Sequence, residues 1–349
     1  MIDKYGREID YLRISLTDRC NLRCIYCMPE EGVKSLSHAE ILTYDEILRI
    51  CRCAADLGIR KIKLTGGEPL VRKGCASLAK QIKAIPGIEK VTLTTNGILL
   101  AEQLDALLDA GIDAINISLD TLDPELFKKV ARRDGLEKVF EGIEAALAHP
   151  GLSLKINSVP VIKEKENFIG IAGLAQKYPI HVRFIEMMPI GYGAAYTGGS
   201  NEELFRQIEE CYGNVSEAGT VRSREGEKYS ADIRDLSYTE EKQQSGKHGA
   251  GPAAYYRFPG LNMDVGFISA MHHKFCRSCN RIRLTSEGYL KLCLCYEKGI
   301  DLRSVLRDPG RKQTLQEVMK EAIFEKPAEH CFEQVSEMTE HNAMVRIGG

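Results

Sequence analysis

Six short runs between residues 11 and 187 alternate apolar with polar side chains, and stretches of helical periodicity separate them. The strand-like runs lie near 11–17, 61–65, 91–95, 114–119, 152–159 and 180–187; the helical patterns lie near 43–57, 74–85, 101–110, 123–131, 136–148 and 166–178. βα units in series favour a parallel sheet, either doubly wound or curved into a barrel. Parallel strands covered on both faces read as unbroken apolar runs, and these do not. Leu12, Ile14 and Leu16 share one face with Arg13 and Ser15 opposite. Ile62 and Leu64 flank Lys63, Val91 and Leu93 alternate with Thr92 and Thr94, and Ile115 and Ile117 alternate with Asn116 and Ser118. Leu154 and Ile156 flank Lys155, with Asn157 on the lysine's side, and Val182 and Phe184 flank Arg183. A closed eight-stranded barrel fills its interior with bulky branched side chains. A face that is polar in all six strands predicts a wider or incomplete α/β barrel that holds a polar ligand.

Local signals agree with this reading. Thr43 and Glu46 form a capping-box pattern at the first helix, and Gly58 and Gly111 stand where two helices should stop. After about residue 190 the rhythm breaks at Gly191, Gly193, Gly198 and Gly199. A helix is predicted over 201–212, a flexible or hairpin-like connection over the polar 216–250, and short strands near 254–258 and 264–270. The expected division is 1–190 for the barrel and 191–349 for a C-terminal extension.

Two cysteine groups carry the chemistry. Cys20, Cys24 and Cys27 follow the first strand with C-x3-C-x2-C spacing, tight enough for one loop to bring three thiolates to a metal centre. Iron–sulfur clusters are normally held by four cysteines, so three local thiols would leave one iron open for chemistry. A three-cysteine zinc site or three buried thiols are the alternatives. Cys276, Cys279 and Cys293 form a second triad, C-x2-C-x13-C, where zinc with Cys295, His272 or His273 as fourth ligand stays open. Arg281 and Arg283 have strand spacing, so both guanidiniums point one way, which suits recognition of an anion or a base edge. Thr65-Gly66-Gly67-Glu68-Pro69 follows the second strand, and its glycines let the backbone approach a ligand closely. Cys51, Cys53, Cys75, Cys211 and Cys331 read as structural thiols.

Composition narrows the classes. Hydrophobic residues make up 44% and charged residues 28%, and the net charge is −2, which gives no sign of a nucleic-acid or membrane surface. Met1 to Arg7 contains no apolar signal core, and no apolar run is long enough to span a bilayer. Twelve cysteines then point to a reducing compartment and metal ligands rather than disulfides, with the cytoplasm as the expected location.

With Tyr26 just before Cys27 and Gly-Gly-Glu-Pro one βα unit later, the chain resembles the radical S-adenosylmethionine (SAM) enzymes. Adding the second triad, the Asn280-Arg281-Ile282-Arg283-Leu284 run and the terminal Gly348-Gly349, it is similar over nearly its whole length to the GTP 3′,8-cyclase family of molybdenum cofactor biosynthesis. That resemblance implies an incomplete (βα)6 TIM-like barrel with a C-terminal extension carrying a second Fe–S cluster. It implies a [4Fe–4S] cluster on Cys20, Cys24 and Cys27 that binds and cleaves SAM, and another on Cys276, Cys279 and Cys293 whose open iron meets the guanine of GTP. SAM contacts fall on Tyr26, Gly67, Ser118 and Met188. GTP contacts fall on Arg13, Lys63, Thr94, Lys155, Arg281 and Arg283, and the Gly-Gly tail reaches into the site. Many members carry arginine where Lys63 stands, so charge is kept and the bidentate fork is lost. The implied reaction removes hydrogen from C3′ of GTP, closes C3′ onto C8 and yields (8S)-3′,8-cyclo-7,8-dihydroguanosine 5′-triphosphate. Implied partners are an electron donor of flavodoxin or ferredoxin type and the next enzyme of the molybdopterin pathway; a homodimer is left open. The competing readings are another two-cluster radical SAM enzyme acting on a peptide, and a non-catalytic zinc-binding scaffold.

Overall fold

A computed structural model of the chain describes residues 1–162, 164–196, 199–215 and 251–348. The expectations for 216–250, Gly198 and Gly349 fall outside the described residues.

The six alternating runs form strands β1 (Tyr11–Ser15), β2 (Lys61–Thr65), β3 (Lys90–Thr95), β4 (Ala114–Ser118), β5 (Ser153–Ser158) and β6 (His181–Ile185). Helices α1 (Tyr44–Asp56), α2 (Cys75–Lys83), α3 (Leu100–Asp109), α4 (Pro124–Ala131), α5 (Leu136–Leu147) and α6 (Lys165–Lys177) connect them, and α7 (Asn201–Tyr212) follows β6. The capping box at Thr43 forms in full, satisfying donors at the start of α1. All neighbours from β1 to β6 pair in parallel. Leu12, Ile14, Ile62, Leu64, Val91, Leu93, Ile115, Ile117, Leu154, Ile156, Val182 and Phe184 are all buried in one core. The apolar face read from the alternation is therefore the face that packs on the helices.

Strands from the C-terminal half continue the same sheet. β7 (Ala254–Tyr256), β8 (Val265–Ile268), β9 (Arg281–Leu284), β10 (Tyr289–Lys291) and β11 (Gly299–Asp301) complete an eleven-stranded sheet of order β11-β10-β9-β1-β2-β3-β4-β5-β6-β8-β7. β9 joins β1 in parallel and β8 joins β6 in parallel, so eight parallel strands lie in series. β10 and β7 add antiparallel edges, and among the described residues β11 and β7 do not pair, leaving the barrel incomplete. Arg281 and Arg283, from the C-terminal extension, sit on the strand beside Arg13: Tyr11 is level with Arg281, and Arg13 with Arg283.

Candidate active site

In a parallel sheet, residues level with one another point to the same side. Arg283, Arg13 and Lys63 are level across β9, β1 and β2; Thr94, Asn116 and Lys155 are level across β3, β4 and β5; Asn157 and Arg183 are level across β5 and β6. Five cations thus share one concave face with Thr94 and Ser118. Lys63, Lys155 and Arg183 are 9%, 7% and 8% exposed. Charges so deeply placed require compensation, and here they face one another. Burial, then the cations of Arg183, Arg13, Lys155 and Arg281, hold the Lys63 ammonium well below its ordinary value. Burial and the Arg183 and Lys90 charges bring Lys155 down to about 8. Burial brings Arg13 down to about 10, with Tyr11 opposing and Arg281 and Arg183 assisting. Burial also lowers Arg283 strongly, reinforced by Arg13 and Arg281. Like charges gathered on one face, three of them buried and two half-buried, suit a polyanion.

Arg183 was visible in the alternation of β6 but was not among the nominated site residues. Its Nε and Nη2 are buried without a hydrogen-bond partner among the described residues, and it lies level with Asn157, two positions along β5 from Lys155. Its place on the polar face was the signal that could have found it.

The two thiol triads lie at opposite ends of this face. Cys20, Cys24 and Cys27 follow the C-terminal end of β1. Cys276 and Cys279 precede β9, which runs parallel to β1, and Cys293 follows β10, which runs back antiparallel to β9. Strands of this length separate the ends by roughly 17 Å.

The first triad sits on a loop pinned to the end of α4, where Arg23 N donates to Ala131 O at 2.9 Å and Ile25 N to Val130 O at 2.9 Å. Burial pushes the Cys20 thiol up to about 11 and Cys27 up to about 12, and each is raised further by a neighbouring charge. Burial also raises Cys24, with Cys27, Asp120 and Cys20 adding to it. Donors already aim at the sulfurs: Leu22 N lies 3.4 Å and Asn96 Nδ2 3.8 Å from Cys20 Sγ, and the Val345 backbone N–H serves Cys27. Free, half-buried thiols with donors at sulfur fit an iron–sulfur cluster. A cluster takes each thiolate on its own iron, and among the described residues no three such side chains converge as one metal ion would need.

Gly66 and Gly67 have a more local reason than a ligand's approach. A Cβ on Gly67 would stand 2.3 Å from Arg19 O, and one on Gly66 2.8 Å from Thr17 O, so the turn after β2 is wedged under the cysteine loop. Beside it, Glu68 accepts from Thr95 Oγ1 at 2.7 Å, Asn96 N at 2.7 Å and Leu70 N at 3.0 Å. Burial pushes its carboxyl up to about 7 against the pull of those donors. Tyr26 donates to Asp120 Oδ2 at 2.7 Å, and Val159 N to Asp120 Oδ1 at 2.8 Å. Met188 comes near the same place, since a Cβ on Gly193 would lie 2.8 Å from Met188 O and 3.8 Å from Tyr26 O. Ser118 is half-buried at the end of β4.

At the second triad, burial pushes Cys276 up to about 11, with Cys293 and Cys279 adding to it. Burial also pulls Cys279 upward, but Lys326, Arg281 and Arg7 outweigh it and bring that thiol down to about 7. A thiolate favoured by surrounding cations is what a metal ligand needs. A pocket of about 290 Å³ opens beside Cys279 and Arg281, between Arg7, Lys61 and Phe275. The Cys295 sulfur lies 3.1 Å from Cys331 Sγ, inside a small apolar cluster with Ile190, Phe332, Met338 and Ile347 against which Cys293 also packs. His272 is engaged by Glu186 at 3.0 Å and His273 lies 3.6 Å from Glu202.

At the C-terminal helix Met344–Ile347, the Val345 backbone N–H serves Cys27 and Ile347 packs in the cluster that holds Cys295. Beyond it, Gly348 adopts φ +85°, its carbonyl accepts from Arg283 Nη1 at 3.2 Å, and a Cβ there would press Ser15 at 3.3 Å.

Residues 14–171 match the radical SAM superfamily and residues 212–332 match Molybdenum Cofactor Synthesis C. The chain is 42% identical over 351 residues to a GTP 3′,8-cyclase of Clostridium perfringens (strain SM101 / Type A), and 42% identical over 350 residues to a GTP 3′,8-cyclase of Heliobacterium modesticaldum, covering all of both chains each time. The Streptococcus suis SuiB structure bound to S-adenosylmethionine superposes with a TM-score of 0.58 at 16% identity, over 97% of this chain and 77% of that one, which speaks for the shared fold. With full-length identity at this level and both halves matched, the chain belongs to the GTP 3′,8-cyclase family of the radical SAM superfamily.

Proposed function

We propose that the chain is a GTP 3′,8-cyclase that converts GTP to (8S)-3′,8-cyclo-7,8-dihydroguanosine 5′-triphosphate for molybdopterin biosynthesis. The observation that carries this beyond family membership is the row of cations on one sheet face between two cysteine triads. In this reading Cys20, Cys24 and Cys27 hold one [4Fe–4S] cluster and Cys276, Cys279 and Cys293 hold the other. Bound there together with SAM, the first cluster would supply the one-electron chemistry that starts the reaction.

The chain's own residues supply position. Tyr26, Gly67, Ser118 and Met188 line the SAM end. Lys63, Lys155, Arg13 and Arg183 neutralise the triphosphate, with Thr94 beside them. Arg281 and Arg283 orient the nucleotide toward the second triad, and Arg283 also holds the Gly348 carbonyl. Fixing the substrate matters because the abstracted hydrogen must lie at contact distance from the radical, so misplacement lowers the rate steeply. A bound polyphosphate would offset the mutual repulsion of these like charges.

The further parts of the reading are a small one-electron donor of flavodoxin or ferredoxin type, delivery of product to the next pathway enzyme, residence in the cytoplasm, and a homodimer. Among the described residues no helix is long and apolar enough to cross a membrane. The boundary near residue 190 separates the two triads by function, although one sheet runs through it. A polypeptide substrate is the second reading, since the SuiB fold also occurs bound to its precursor peptide; the charge of the sheet face favours the nucleotide. Anaerobic incubation of the reconstituted chain with GTP, SAM and dithionite tests the assignment. The expected result is the cyclised nucleotide with stoichiometric 5′-deoxyadenosine. Deoxyadenosine formed only when a peptide replaces GTP would overturn it.

A further inference from the structure

The second triad is dressed by residues 326–330, whose chemistry the proposed reaction leaves unassigned. The Lys326 ammonium donates to Leu292 O at 2.5 Å, one residue before Cys293. His330 N donates to Cys276 Sγ at 3.4 Å. Arg7 ties the two sides together: Nη1 donates to Cys276 O at 2.9 Å and Ala328 O at 2.7 Å, and Nη2 to Pro327 O at 2.6 Å. Arg7 is itself neutralised by Asp3, whose Oδ2 accepts from Nε at 2.7 Å. Arg281 stacks over the Phe275 ring at 5.0 Å. Lys326 differs from both. It is 2% exposed, and its ammonium is given to a carbonyl rather than to a carboxylate. Its ammonium is thereby fixed on the carbonyl next to Cys293, and the segment that carries it also reaches Cys276 through His330 N. A buried cation without a counter-ion is costly, and three thiolates around an iron–sulfur cluster are the anion that would balance it.

We propose that Lys326 is an electrostatic positioning residue for the second cluster, a fixed buried cation that offsets the thiolate charge and holds the cluster's reduction potential up. The proposal rests on the reading that Cys276, Cys279 and Cys293 bind a cluster. Reduction adds negative charge to a centre that is already anionic, and cluster potentials follow net charge and hydrogen bonding at the sulfurs. A nearby cation at low dielectric favours the reduced form, so neutralising Lys326 moves the potential downward.

The test uses the full chain with Cys20→Ser, Cys24→Ser and Cys27→Ser, so that only the second cluster contributes. This parent and its Lys326→Arg, Lys326→Gln and Lys326→Met derivatives are reconstituted anaerobically. Iron and sulfide are counted per chain, and the potential is read by redox titration followed by electron paramagnetic resonance. The Met and Gln forms should titrate at more negative potential than the parent, with the Arg form close to the parent. Gln can keep a donor to the Leu292 carbonyl while losing the charge, so it reports if the Met form fails to fold. Iron lost from both neutral forms and kept by Arg also supports a charge requirement. Equal potentials throughout, an Arg form displaced as far as Met, or iron lost from all three derivatives would overturn the role of Lys326. A parent that binds no iron would instead remove the cluster reading, and the proposal with it.

Discussion

Arg13 and Lys63 occupy level positions on the adjacent strands β1 and β2, so two cations stand side by side, Lys63 buried and Arg13 half-buried. The free protein carries the cost of that arrangement. Lys63→Met should raise the thermal stability of the ligand-free chain, by about 1 kcal/mol or more, because it replaces a desolvated charge among like charges with an apolar chain of similar length. The same change should weaken GTP binding at least about tenfold, or about 1.4 kcal/mol. Thermal unfolding with and without GTP reads both effects; a variant less stable when free would contradict the proposed origin of the Lys63 shift.

Lys155 gives a pH signature. With its ammonium at about 8 in the free site, it is charged at pH 7 and neutral at pH 9. A bound polyphosphate restores the charged form, so binding takes up a proton above pH 8. GTP affinity should therefore hold steady up to about pH 8 and fall by up to about tenfold per pH unit beyond it. Titration calorimetry in buffers of different ionisation heat should record that proton uptake. Lys155→Arg, charged throughout this range, should flatten the profile.

Gly67→Ala tests the wedge beneath the cysteine loop. Its Cβ would meet Arg19 O at 2.3 Å, a backbone atom that cannot swing away as a side-chain tip could. Overpacking of this kind costs about 1–3 kcal/mol. The predicted outcome is a lowered unfolding temperature with loss of iron from the first triad, while iron at the second triad stays. Equal loss at both sites would mean general unfolding rather than local displacement.

Tyr26→Phe removes the hydroxyl that bonds Asp120 at 2.7 Å. Burial already holds the Asp120 carboxyl up at about 6. An acid whose folded value is raised costs stability while ionised, and that cost is relieved as pH falls through 6 toward 4. Without the Tyr26 donor the carboxyl should rise further, and stability at pH 8 should drop by about 1–3 kcal/mol, with a smaller deficit at pH 5. Urea unfolding at the two pH values measures the difference; an equal deficit at both would exclude the ionised carboxylate as its source.

Much of the barrel was legible because its code is local. Alternation at Lys63, Thr94 and Lys155 needs only neighbours in sequence, and the structure keeps that face polar. The spacing of Arg281 and Arg283 correctly gave a strand, but nothing within reach of it said that the strand lies beside β1. Such pairing is decided by shape at long range. The same holds for Tyr26 with Asp120 and for Lys326 with Leu292, each joined across dozens of residues. Arg183 was a miss of a different kind: its alternation was read, yet its role was not drawn from it. Cys295 was weighed as a ligand because sequence counts thiols without their surroundings, and its contact with Cys331 at 3.1 Å could not be read from spacing.

The placement of β9 against β1 has a consequence for how the protein is made. Strand β1 keeps one flank bare until β9, which comes much later in the chain, is available to pair with it. During that interval a strand edge carrying Arg13 stands open to other chains, and edges of this kind invite association unless something shields them. The positive charge that suits Arg13 to a nucleotide also repels an identical nascent copy, so one residue can serve the newborn chain before it serves the finished one.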